Sequence, residues 1–529
     1  MTSNEKVDVL IVGSGASGAA VAWSLADTRM RILCLEQGDW VRSTDFPTNG
    51  RDWEARRFGD FDISPNRRGR DTDYPVNDDA SIMKVANFNG VGGGTVIYTA
   101  HWPRLHPSDF RVKSLDGVAD DWPVDYWTLE RFYEENDRMM GVSGLAGDPG
   151  VPPRHPPMPP IPMGKTGTLY ARAMNRLGWH WWPSDTTVAT MDYEGRARCI
   201  NLGHCTPACA QGAKASPLNT VVPALGRHDN FELRTLANVI KINLDSSGKR
   251  AVGVTYIDAR GNEVFQEAGI VVLGAYCFNN VRLMLLSGIG TPYDPTTGKG
   301  TVGRNYAYQQ GGSVEVFFDD KEFNPFIGGG MVNTSIDEFN GDIIDRGPLG
   351  FIGGAYMDVS ARGSNPIKGK PVPHGTPRWG SEWKKAVSYN FRRTLNIAIH
   401  ATSLSFKQNY LDLDPTYKDA FGQPLLRMTF DWPDNDLRMM KYMTEQATEI
   451  GKALKGSKLG NKGKGNHFTI QGYQSTHNAG GAVMGSDPST SVVNKYLQSW
   501  VVPNLFVVGG SAFPQQPANG PTETIGMGQ

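Results

Sequence analysis

A glycine motif near the N-terminus constrains the fold more than any other feature of this sequence. Val7–Val12 is a short apolar run rich in β-branched residues, which predicts a buried parallel strand. It is followed at once by Gly13-Ser-Gly15-Ala-Ser-Gly18 and then by an alanine-rich segment, residues 19–26, which predicts a helix. In such a unit the first glycine allows a tight turn, the second lets backbone approach a pyrophosphate, and the third lets helix pack on strand. The motif therefore predicts a Rossmann-like fold around a dinucleotide.

A second strand supports this interpretation. Residues 31–36 form another apolar run that ends in Glu36, eighteen positions beyond Gly18. A carboxylate at this place is expected to accept hydrogen bonds from the ribose hydroxyls of the adenosine half. The motif alone leaves FAD, NAD and NADP open, although an acid argues against a 2′-phosphate.

A second glycine cluster lengthens the predicted site. It reads Asn87-Phe-Asn-Gly90-Val-Gly-Gly-Gly94-Thr-Val-Ile97. A simple NAD enzyme does not need this cluster, whereas a flavin enzyme needs backbone contact along a longer cofactor. Gly92, Gly93 and Thr95 are therefore candidate cofactor contacts. The alternative is a glycine-rich surface loop.

Two later segments are expected to complete the nucleotide site. Residues 231–272 alternate as strands, with hairpin breaks at 246–249 and 260–262. A strand, a small-residue turn at Gly274-Ala275 and a helix at 279–286 follow. This order predicts backbone of Val239 near the adenine and of Ala275 near the phosphates.

The C-terminal fifty residues carry the candidate chemistry. His477 lies in a glycine-rich loop, residues 505–508 predict a buried strand, and Asn519 follows on a turn before Pro521. Proline is favoured at the first position of a helix, and a helix N-terminus can hold an anion. We therefore expect His477 and Asn519 to sit together beside a group that becomes negative. Gly510, Ser511 and Thr522 are the expected cofactor contacts in this stretch.

Composition excludes several classes of protein. The 53 Lys and Arg nearly balance the 54 Asp and Glu, so nucleic acid and anionic membranes are not expected partners. No apolar run approaches the ~20 residues of a membrane span, and the N-terminus leaves no room for a signal peptide. Five cysteines in 529 residues do not make a disulfide framework. We expect a soluble cytoplasmic protein, whose oligomeric state the sequence leaves open.

A cysteine-rich stretch raises the question of a metal. Cys199, His204, Cys205 and Cys209 lie within eleven residues. The spacing lacks the C-x-x-C pair typical of structural zinc sites. We expect no metal, and interpret the thiols as packing of a tight loop.

The chain is too long for one core, so several domains are expected. The predicted fold is mixed α/β. A discontinuous, Rossmann-like nucleotide domain spans residues 1–125, 195–305 and 465–529, and residues 126–194 form a connecting segment with a proline-rich strap at 150–164. Residues 306–464 form a substrate domain on a mixed or antiparallel sheet, with a helix at Asp434–Ala453 and a possible lid at 324–345.

Several motifs in order resemble the glucose–methanol–choline (GMC) family of FAD oxidoreductases. They are the N-terminal fingerprint, Gly90-Val-Gly-Gly-Gly94, Val302-Gly-Arg-Asn305, Ser475-Thr-His477-Asn and the Asn519 segment. The resemblance runs nearly end to end and is closest to a bacterial branch with pyranose 2-oxidase, glycoside 3-oxidases and sugar or gluconate dehydrogenases. It implies that the nucleotide domain binds FAD.

The resemblance also implies a mechanism and roles for residues. His477 would take the hydroxyl proton of an alcohol while the carbinol hydride goes to flavin N5, and Asn519 would orient the same hydroxyl. The helix at Pro521 would face the flavin edge that gains negative charge on reduction. Thr99 falls where the family places a hydroxyl near flavin N5.

One departure from the family pattern concerns the flavin linkage. In pyranose 2-oxidase-like enzymes, a histidine after the second glycine cluster bonds covalently to the flavin. Ile97 occupies that place here and cannot form the bond, so we predict non-covalent FAD. His101, four residues on, is the alternative.

The expected substrate rests mainly on the branch resemblance. Ser475, Gln310 and Tyr98 are the candidate substrate contacts, in polar and aromatic surroundings that suit a carbohydrate. The predicted reaction oxidises a secondary ring hydroxyl, at C2 or C3, of a sugar or glycoside to the keto-sugar, with O₂ as electron acceptor. The alternatives are a dehydrogenase that passes electrons to a quinone or carrier protein, a lyase on the same scaffold, and a non-enzymatic flavin-binding module.

Overall fold

The computed structural model describes residues 5–50, 52–56, 59, 61–70, 73–203, 205–206, 208–328, 334–361, 370–456, 458–461 and 477–527. The strands are β1 (Val7–Val12), β2 (Ile32–Leu35), β3 (Val76–Asn77), β4 (Trp182–Pro183), β5 (Phe231–Arg234), β6 (Asn238–Leu244), β7 (Ala251–Ile257), β8 (Glu263–Leu273), β9 (Ala307–Tyr308), β10 (Gln310–Phe317), β11 (Thr334–Ile336), β12 (Ala355–Ala361), β13 (Thr394–Ala401), β14 (Tyr410–Lys418), β15 (Pro424–Thr429), β16 (Lys458–Asn461), β17 (Asn478–Ala479) and β18 (Leu505–Val507). The helices are α1 (Ala16–Leu25), α2 (Trp53–Arg56), α3 (Pro65–Arg68), α4 (Val112–Asp116), α5 (Tyr126–Met140), α6 (Gly164–Leu177), α7 (Val221–Leu225), α8 (Tyr276–Leu286), α9 (Gly380–Asn390), α10 (Asp434–Ala453) and α11 (Thr522–Ile525).

The first sheet is the predicted Rossmann-like sheet. Its strands run in the order β5-β2-β1-β8-β7-β6, and β18 also pairs with β8. The pairs among β5, β2, β1, β8 and β18 are parallel, whereas β7 is antiparallel to β8 and to β6. Leu10 and Ile11 of β1 are both fully buried. Burial of consecutive side chains is expected for a parallel strand covered on both faces, so the β1–Gly–α1 unit folds as predicted.

The second sheet is antiparallel, with the strand order β16-β10-β13-β12-β11-β4. Helices α6 and α10 pack on it through a shared buried core that includes Met174, Met440 and Ile399. This is the mixed or antiparallel sheet expected for residues 306–464. Both α6 and β4 belong to it although they come from the predicted connecting segment, because the apolar stripe of α6 needs a partner to cover it.

Most predicted element boundaries shift by a few residues. The predicted helices at 19–26 and 279–286 begin at Ala16 and Tyr276, directly after the small-residue turns that precede them. Helix α10 has the predicted bounds. The prediction of a lid at 324–345 needs a partial correction, because β11 lies inside this segment and pairs with β12 and β4. Residues 329–333 lie outside the described residues. Within the described residues, no helix combines the length and apolar character needed to cross a membrane.

Candidate active site

A large cavity, called the main cavity below, lies where the parallel strands of the first sheet end. Gly13 follows β1, Gly274 follows β8 and Gly509 follows β18, and all three line it. Ligands of open α/β sheets bind at this edge, outside the carboxyl ends of the strands. The predicted residues that line the main cavity are Gly13, Gly15, Glu36, Gly93, Thr95, Tyr98, Val239, Ala275, His477, Gly510 and Thr522.

The glycines of the N-terminal motif have separable roles. Gly13 has φ of +98°, and a Cβ on it would lie 2.6 Å from the carbonyl oxygen of Gly274. A Cβ on Gly18 would lie 1.9 Å from the carbonyl oxygen of Gly13, so no side chain fits between helix and strand. A Cβ on Gly15, by contrast, would meet only the Cα of Gly93 at 3.9 Å, and one on Gly94 would meet nothing within 4 Å. Gly13 and Gly18 are therefore required by the fold, whereas Gly15 and Gly94 leave bare backbone facing the main cavity.

Glu36 lies at the end of β2 with its carboxylate held by backbone. Its Oε2 accepts from the amide and the hydroxyl of Ser14 at 2.9 and 2.8 Å, and its Oε1 accepts from the amide of Gly38 at 2.9 Å. Burial raises the pKa of Glu36, and the hydrogen bonds from Ser14 and Gly38 oppose that rise. Glu36 also lines the main cavity, which is where a carboxylate that binds ribose hydroxyls is expected.

Four predicted cofactor residues do not line the main cavity. Gly18 lies beneath the turn, and Gly92 donates its amide to the hydroxyl of Ser14 at 3.3 Å. Ser511 is fully buried and accepts from Asn280 at 2.9 Å, so its role is to hold the turn after β18. Thr99 is half-buried and does not line the main cavity. The positions of these four residues therefore do not support direct contact with the cofactor.

His477 is held by an amide that the sequence analysis did not select. Its Nδ1 lies 2.5 Å from Oε1 of Gln309, while Nε2 of Gln309 donates to the carbonyl oxygen of Ala518 at 2.6 Å. Because the second bond fixes the orientation of the amide, Nδ1 of His477 must donate. The imidazole therefore carries its proton on Nδ1 and its lone pair on Nε2, which is the arrangement a general base needs.

Two further histidines surround this base. His400 is hydrogen-bonded to Asp358 at 2.6 Å, and its ring centroid lies 6.5 Å from that of His101. Burial, and to a smaller extent the electrostatic interaction with His400, lower the pKa of His477 to about 3. Burial, with help from His400 and His477, also lowers the pKa of His101. The local field thus keeps His477 neutral and able to accept a proton.

Asn519 is 3% exposed and only half satisfied. Its Nδ2 donates to the carbonyl oxygen of Arg104 at 2.7 Å, whereas its Oδ1 has no hydrogen-bond partner in the described part of the chain. A Cβ on Gly520 would lie 3.8 Å from Cε1 of His477, so the residue after Asn519 packs against the imidazole. The structure brings the two predicted catalytic residues into one neighbourhood.

The predicted substrate residues have different outcomes. Gln310 lines neither cavity, and the adjacent Gln309 contacts His477 instead, because successive side chains of an extended chain point to opposite sides. Tyr98 lines the main cavity, but its hydroxyl is bonded to Thr187 and to the carbonyl oxygen of Ala215 at 3.0 Å. It therefore offers a ring rather than a free hydroxyl. Ser475 lies outside the described residues.

Sequence reasoning also missed a buried cation beside the second glycine cluster. Nζ of Lys214 donates to the carbonyl oxygens of Val96, Tyr98 and Cys205 at 3.0, 2.6 and 2.7 Å. Burial lowers the pKa of Lys214 to about 8. The lysine ties the cavity-lining loop to the cysteine-rich stretch, and no local pattern in the sequence signals a pairing between such distant segments.

The cysteine-rich stretch forms a small separate cavity. Cys199, Cys205 and Cys209 are free thiols that line it together with Gly328. Among the residues that the structure describes, no group of three or more His, Cys, Asp or Glu is arranged to hold a metal ion. His204 lies outside the described residues.

The predicted helix after Pro521 is a single turn. Helix α11 has four residues, and Pro521 is its N-cap rather than its first residue. Pro521 and Thr522 line the main cavity, while Glu523 points away and accepts from Arg104 and Arg154 at 3.2 and 3.0 Å. The single turn closes one wall of the cavity.

Comparisons with known proteins agree with this arrangement. Two family models described as GMC oxidoreductase match residues 160–310 and 405–528, and a model of an NAD(P)-binding Rossmann-like domain matches residues 11–68. The chain is 38% identical to a gluconate 2-dehydrogenase flavoprotein of Pantoea cypripedii, covering 98% of this chain and 92% of the relative. It is 33% identical to a 2-methyl-1,2-propanediol dehydrogenase of Mycolicibacterium austroafricanum, covering 99% and 94%.

A solved structure has the same fold. The crystal structure of pyridoxine 4-oxidase from Mesorbium loti aligns with a TM-score of 0.68 at 16% identity, over 99% of this chain and 97% of that one. The cofactor is FAD, and the residues present fit it, since bare glycine backbone and Glu36 line the main cavity as a dinucleotide requires. The chain is an oxidoreductase that acts on the CH–OH groups of alcohols or sugars. On its family models and these full-length relatives, the chain belongs to the GMC oxidoreductase family.

Proposed function

We propose that this enzyme oxidises a secondary ring hydroxyl, at C2 or C3, of a sugar or glycoside to the keto-sugar. The observation that carries the proposal is the orientation of His477 at the main cavity, where its Nδ1 donates to Gln309. This leaves a neutral imidazole with its lone pair on Nε2, next to the main cavity that FAD occupies. Such a group is suited to remove the proton of a substrate hydroxyl.

Conversion of CH–OH to C=O requires that a proton and a hydride leave together. His477 accepts the hydroxyl proton on Nε2 and becomes an imidazolium, whose Nδ1–H remains bonded to Gln309. When bound, FAD supplies the acceptor for the carbinol hydride. Asn519 holds the substrate hydroxyl through its Oδ1, which has no other partner among the described residues. Ser475 remains a proposed substrate contact.

The substrate class draws on the relatives as well as on the site. One relative is named for oxidising gluconate at position 2, and the other for a diol. Both names describe hydroxylated carbon compounds, which supports a polyhydroxylated substrate here. The aromatic ring of Tyr98 at the main cavity is compatible with the apolar face of a sugar ring.

A second candidate function differs only in the electron acceptor. O₂ is the acceptor in the first form of the proposal. The two relatives described above are both named dehydrogenases, which favours a quinone or a carrier protein instead. The oxidation of the substrate is the same in both cases.

FAD is proposed to be non-covalent. Ile97, which stands at the place of the covalent histidine in the family pattern, is 6% exposed and packs in an apolar cluster with Phe46 and Val96. His101 is hydrogen-bonded to the hydroxyl of Tyr356 at 2.6 Å and does not line the main cavity. Acid precipitation is expected to release all flavin, and yellow colour in the pellet would contradict this.

The first test is anaerobic mixing of the holoenzyme with glucose, methyl glycosides and gluconate, followed by admission of air. The visible flavin band is expected to bleach with a sugar or glycoside, and His477→Ala is expected to slow bleaching by about 10²–10⁴-fold. His155→Ala, at an exposed position, is the matched control and is expected to bleach like the wild type. Rapid recovery in air would identify an oxidase, and slow recovery a dehydrogenase. Bleaching of His477→Ala at the wild-type rate would refute the proposed base, and no bleaching with any sugar would refute the substrate.

A further inference from the structure

A second cavity adjoins the catalytic pair and shares Asn519 with it. It is lined by His101, Arg104, Asp148, His180, Trp182, Tyr356 and Asn519, among others, which come from widely separated parts of the chain. Pro103 also lines it, and a Cβ on Gly520 would lie 3.8 Å both from Pro103 and from Cε1 of His477. Asn519 and Gly520 therefore stand between the main cavity and the second cavity.

One buried polar atom in this wall calls for a ligand. Asn519 is 3% exposed and lines the second cavity, and its Oδ1 has no partner in the described residues. A buried amide oxygen without a partner costs free energy unless a bound molecule donates to it. A substrate hydroxyl that lies between His477 and Asn519 satisfies this oxygen from the border of the second cavity.

The charged groups that line the second cavity already have partners, some in the lining and some behind it. Arg154 lies 2.8 Å from Asp185 and Arg104 lies 2.6 Å from Asp137. His180 lies 2.7 Å from Asp148, and His106 lies 2.6 Å from the lining residue Asp337. A charged ligand would have to displace one of these partners, and a buried charge that loses its partner is destabilised strongly. A neutral ligand only adds hydrogen bonds, so the lining favours a neutral molecule.

The shape of the lining groups favours a ring with hydroxyls at its edge. The rings of His180 and Trp182 stack at 25° with centroids 6.0 Å apart, and the indole N–H is fixed to the carbonyl oxygen of Leu145 at 2.7 Å. The hydroxyl of Tyr356 is held by His101 at 2.6 Å and by Ser335. Flat apolar faces of this kind contact the face of a sugar ring, while carboxylate and hydroxyl groups bind its edge.

We propose that the second cavity binds a neutral, unoxidised sugar ring that is glycosidically linked to the ring oxidised at His477. The natural substrate is then a neutral glycoside or oligosaccharide rather than a free monosaccharide or a sugar acid. The proposal rests on the proposed function for the identity of the oxidised ring. Trp182 and Asp148 are specificity-determining residues in this arrangement.

The test uses the His477→Ala holoenzyme, in which binding is measured without turnover. Isothermal titration compares glucose, gluconate and the neutral disaccharides maltose, cellobiose and lactose. We expect at least one disaccharide to bind about tenfold more tightly than glucose, because its second ring gains the aromatic contact, and gluconate to bind no better than glucose. Adding Trp182→Ala is expected to remove the disaccharide advantage, while the matched control Trp379→Ala, at a side chain 84% exposed, keeps it.

The outcomes separate this inference from the proposed function. Equal binding of glucose and all three disaccharides, tighter binding of gluconate, or an advantage that survives Trp182→Ala would each overturn the second sugar site. Asp148→Asn, which keeps the shape of the side chain, replaces Trp182→Ala should the latter fail to fold. If the wild type oxidises glucose but the disaccharides and glucose bind with equal affinity, the proposed function stands and this inference falls. If no sugar bleaches the wild type, the proposed function falls, and the binding ratio still decides the second site.

Discussion

At the scale of single residues, the amide of Gln309 decides which nitrogen of His477 acts. Its own orientation is set by the bond from Nε2 to the carbonyl oxygen of Ala518, and its Oε1 then accepts from Nδ1 of the imidazole. Gln309 does not need to touch the substrate to have this effect. It is a positioning residue, comparable in role to the groups that orient a ligating or catalytic histidine in other enzymes.

A charge at this position should move the pH profile. Because burial and His400 lower the pKa of His477 to about 3, kcat/KM of the wild type is expected to show no loss from His477 near the ordinary pKa of 6.5. Gln309→Glu places a carboxylate beside Nδ1–H, which favours the imidazolium and raises its pKa. The acid limb of kcat/KM should therefore move towards neutral pH. Steady-state rates across the acidic range provide the measurement.

Gln309→Met is the matched control because it removes the acceptor without adding a charge. It is expected to lower kcat by about 10–100-fold, since the imidazole loses its orientation, with no upward shift of the acid limb. Superimposable profiles for Gln309→Glu and the wild type would contradict the positioning role.

At the scale of elements, different glycines of the turn between β1 and α1 serve the stability of the fold and the binding of the cofactor. Gly18 lies against backbone of Gly13, with room for no Cβ, whereas Gly15 and Gly94 face the main cavity without close neighbours. The N-terminal motif thus contains one position, Gly18, that closes the helix on the strand and another, Gly15, that leaves space for the cofactor.

Alanine substitutions should distinguish these roles. Gly18→Ala is expected to lower the melting temperature of the apoprotein, because its Cβ would overlap the carbonyl oxygen of Gly13 at 1.9 Å. Gly15→Ala is expected to leave apoprotein stability nearly unchanged and to weaken FAD binding by about tenfold or more, since the methyl group occupies space beside the pyrophosphate. Thermal unfolding of apoprotein and FAD titration measure the two effects. Equal effects of both substitutions on both quantities would contradict the division of roles.

At the scale of the whole molecule, a closed ring of four buried charges joins distant segments. Asp137 of α5 lies 2.6 Å from both Arg104 and Arg154, and Glu523 of α11 lies 3.2 and 3.0 Å from the same two arginines. All four residues are at most 8% exposed. The ring ties the proline-rich strap and α5 to α11 and to the segment of Arg104, so it holds two walls of the substrate region together.

Removing one member of this ring should lower the free energy of unfolding more than removing a surface ion pair does. Glu523→Ala leaves two buried arginines with one carboxylate fewer, and loss of a buried partner destabilises by about 3–5 kcal/mol. We expect a lower midpoint of thermal unfolding for the holoenzyme. Glu445→Ala, at an exposed position on α10, is the control and is expected to change the midpoint little. An unchanged midpoint for Glu523→Ala would show that the ring does not stabilise the fold.

Much of the nucleotide site could be predicted because its signals are local. β1, Gly13, Gly15, Gly18 and α1 are contiguous, and Gly13 and Gly18 are required by backbone of the same turn or of the strand next to it. His477 and Asn519 were also accessible from the sequence, through their glycine-rich and turn contexts together with the family resemblance. The family and the cofactor followed from the order of these motifs.

Other features depended on contacts between distant segments. Of Gln309 and Gln310, the one whose side chain points towards His477 contacts it. The sequence of two adjacent glutamines does not reveal which one that is. The placement of α6 and β4 on the second sheet, the cation of Lys214 and the wall of the second cavity each join residues separated by many positions. The sequence by itself determined the dinucleotide fold, because the glycine motif acts on contiguous backbone, and the order of its motifs pointed through the family resemblance to FAD and the candidate base. Only the tertiary structure decided the tautomer of His477 and the neutrality of the second cavity, because hydrogen bonds and ion pairs between distant segments set both.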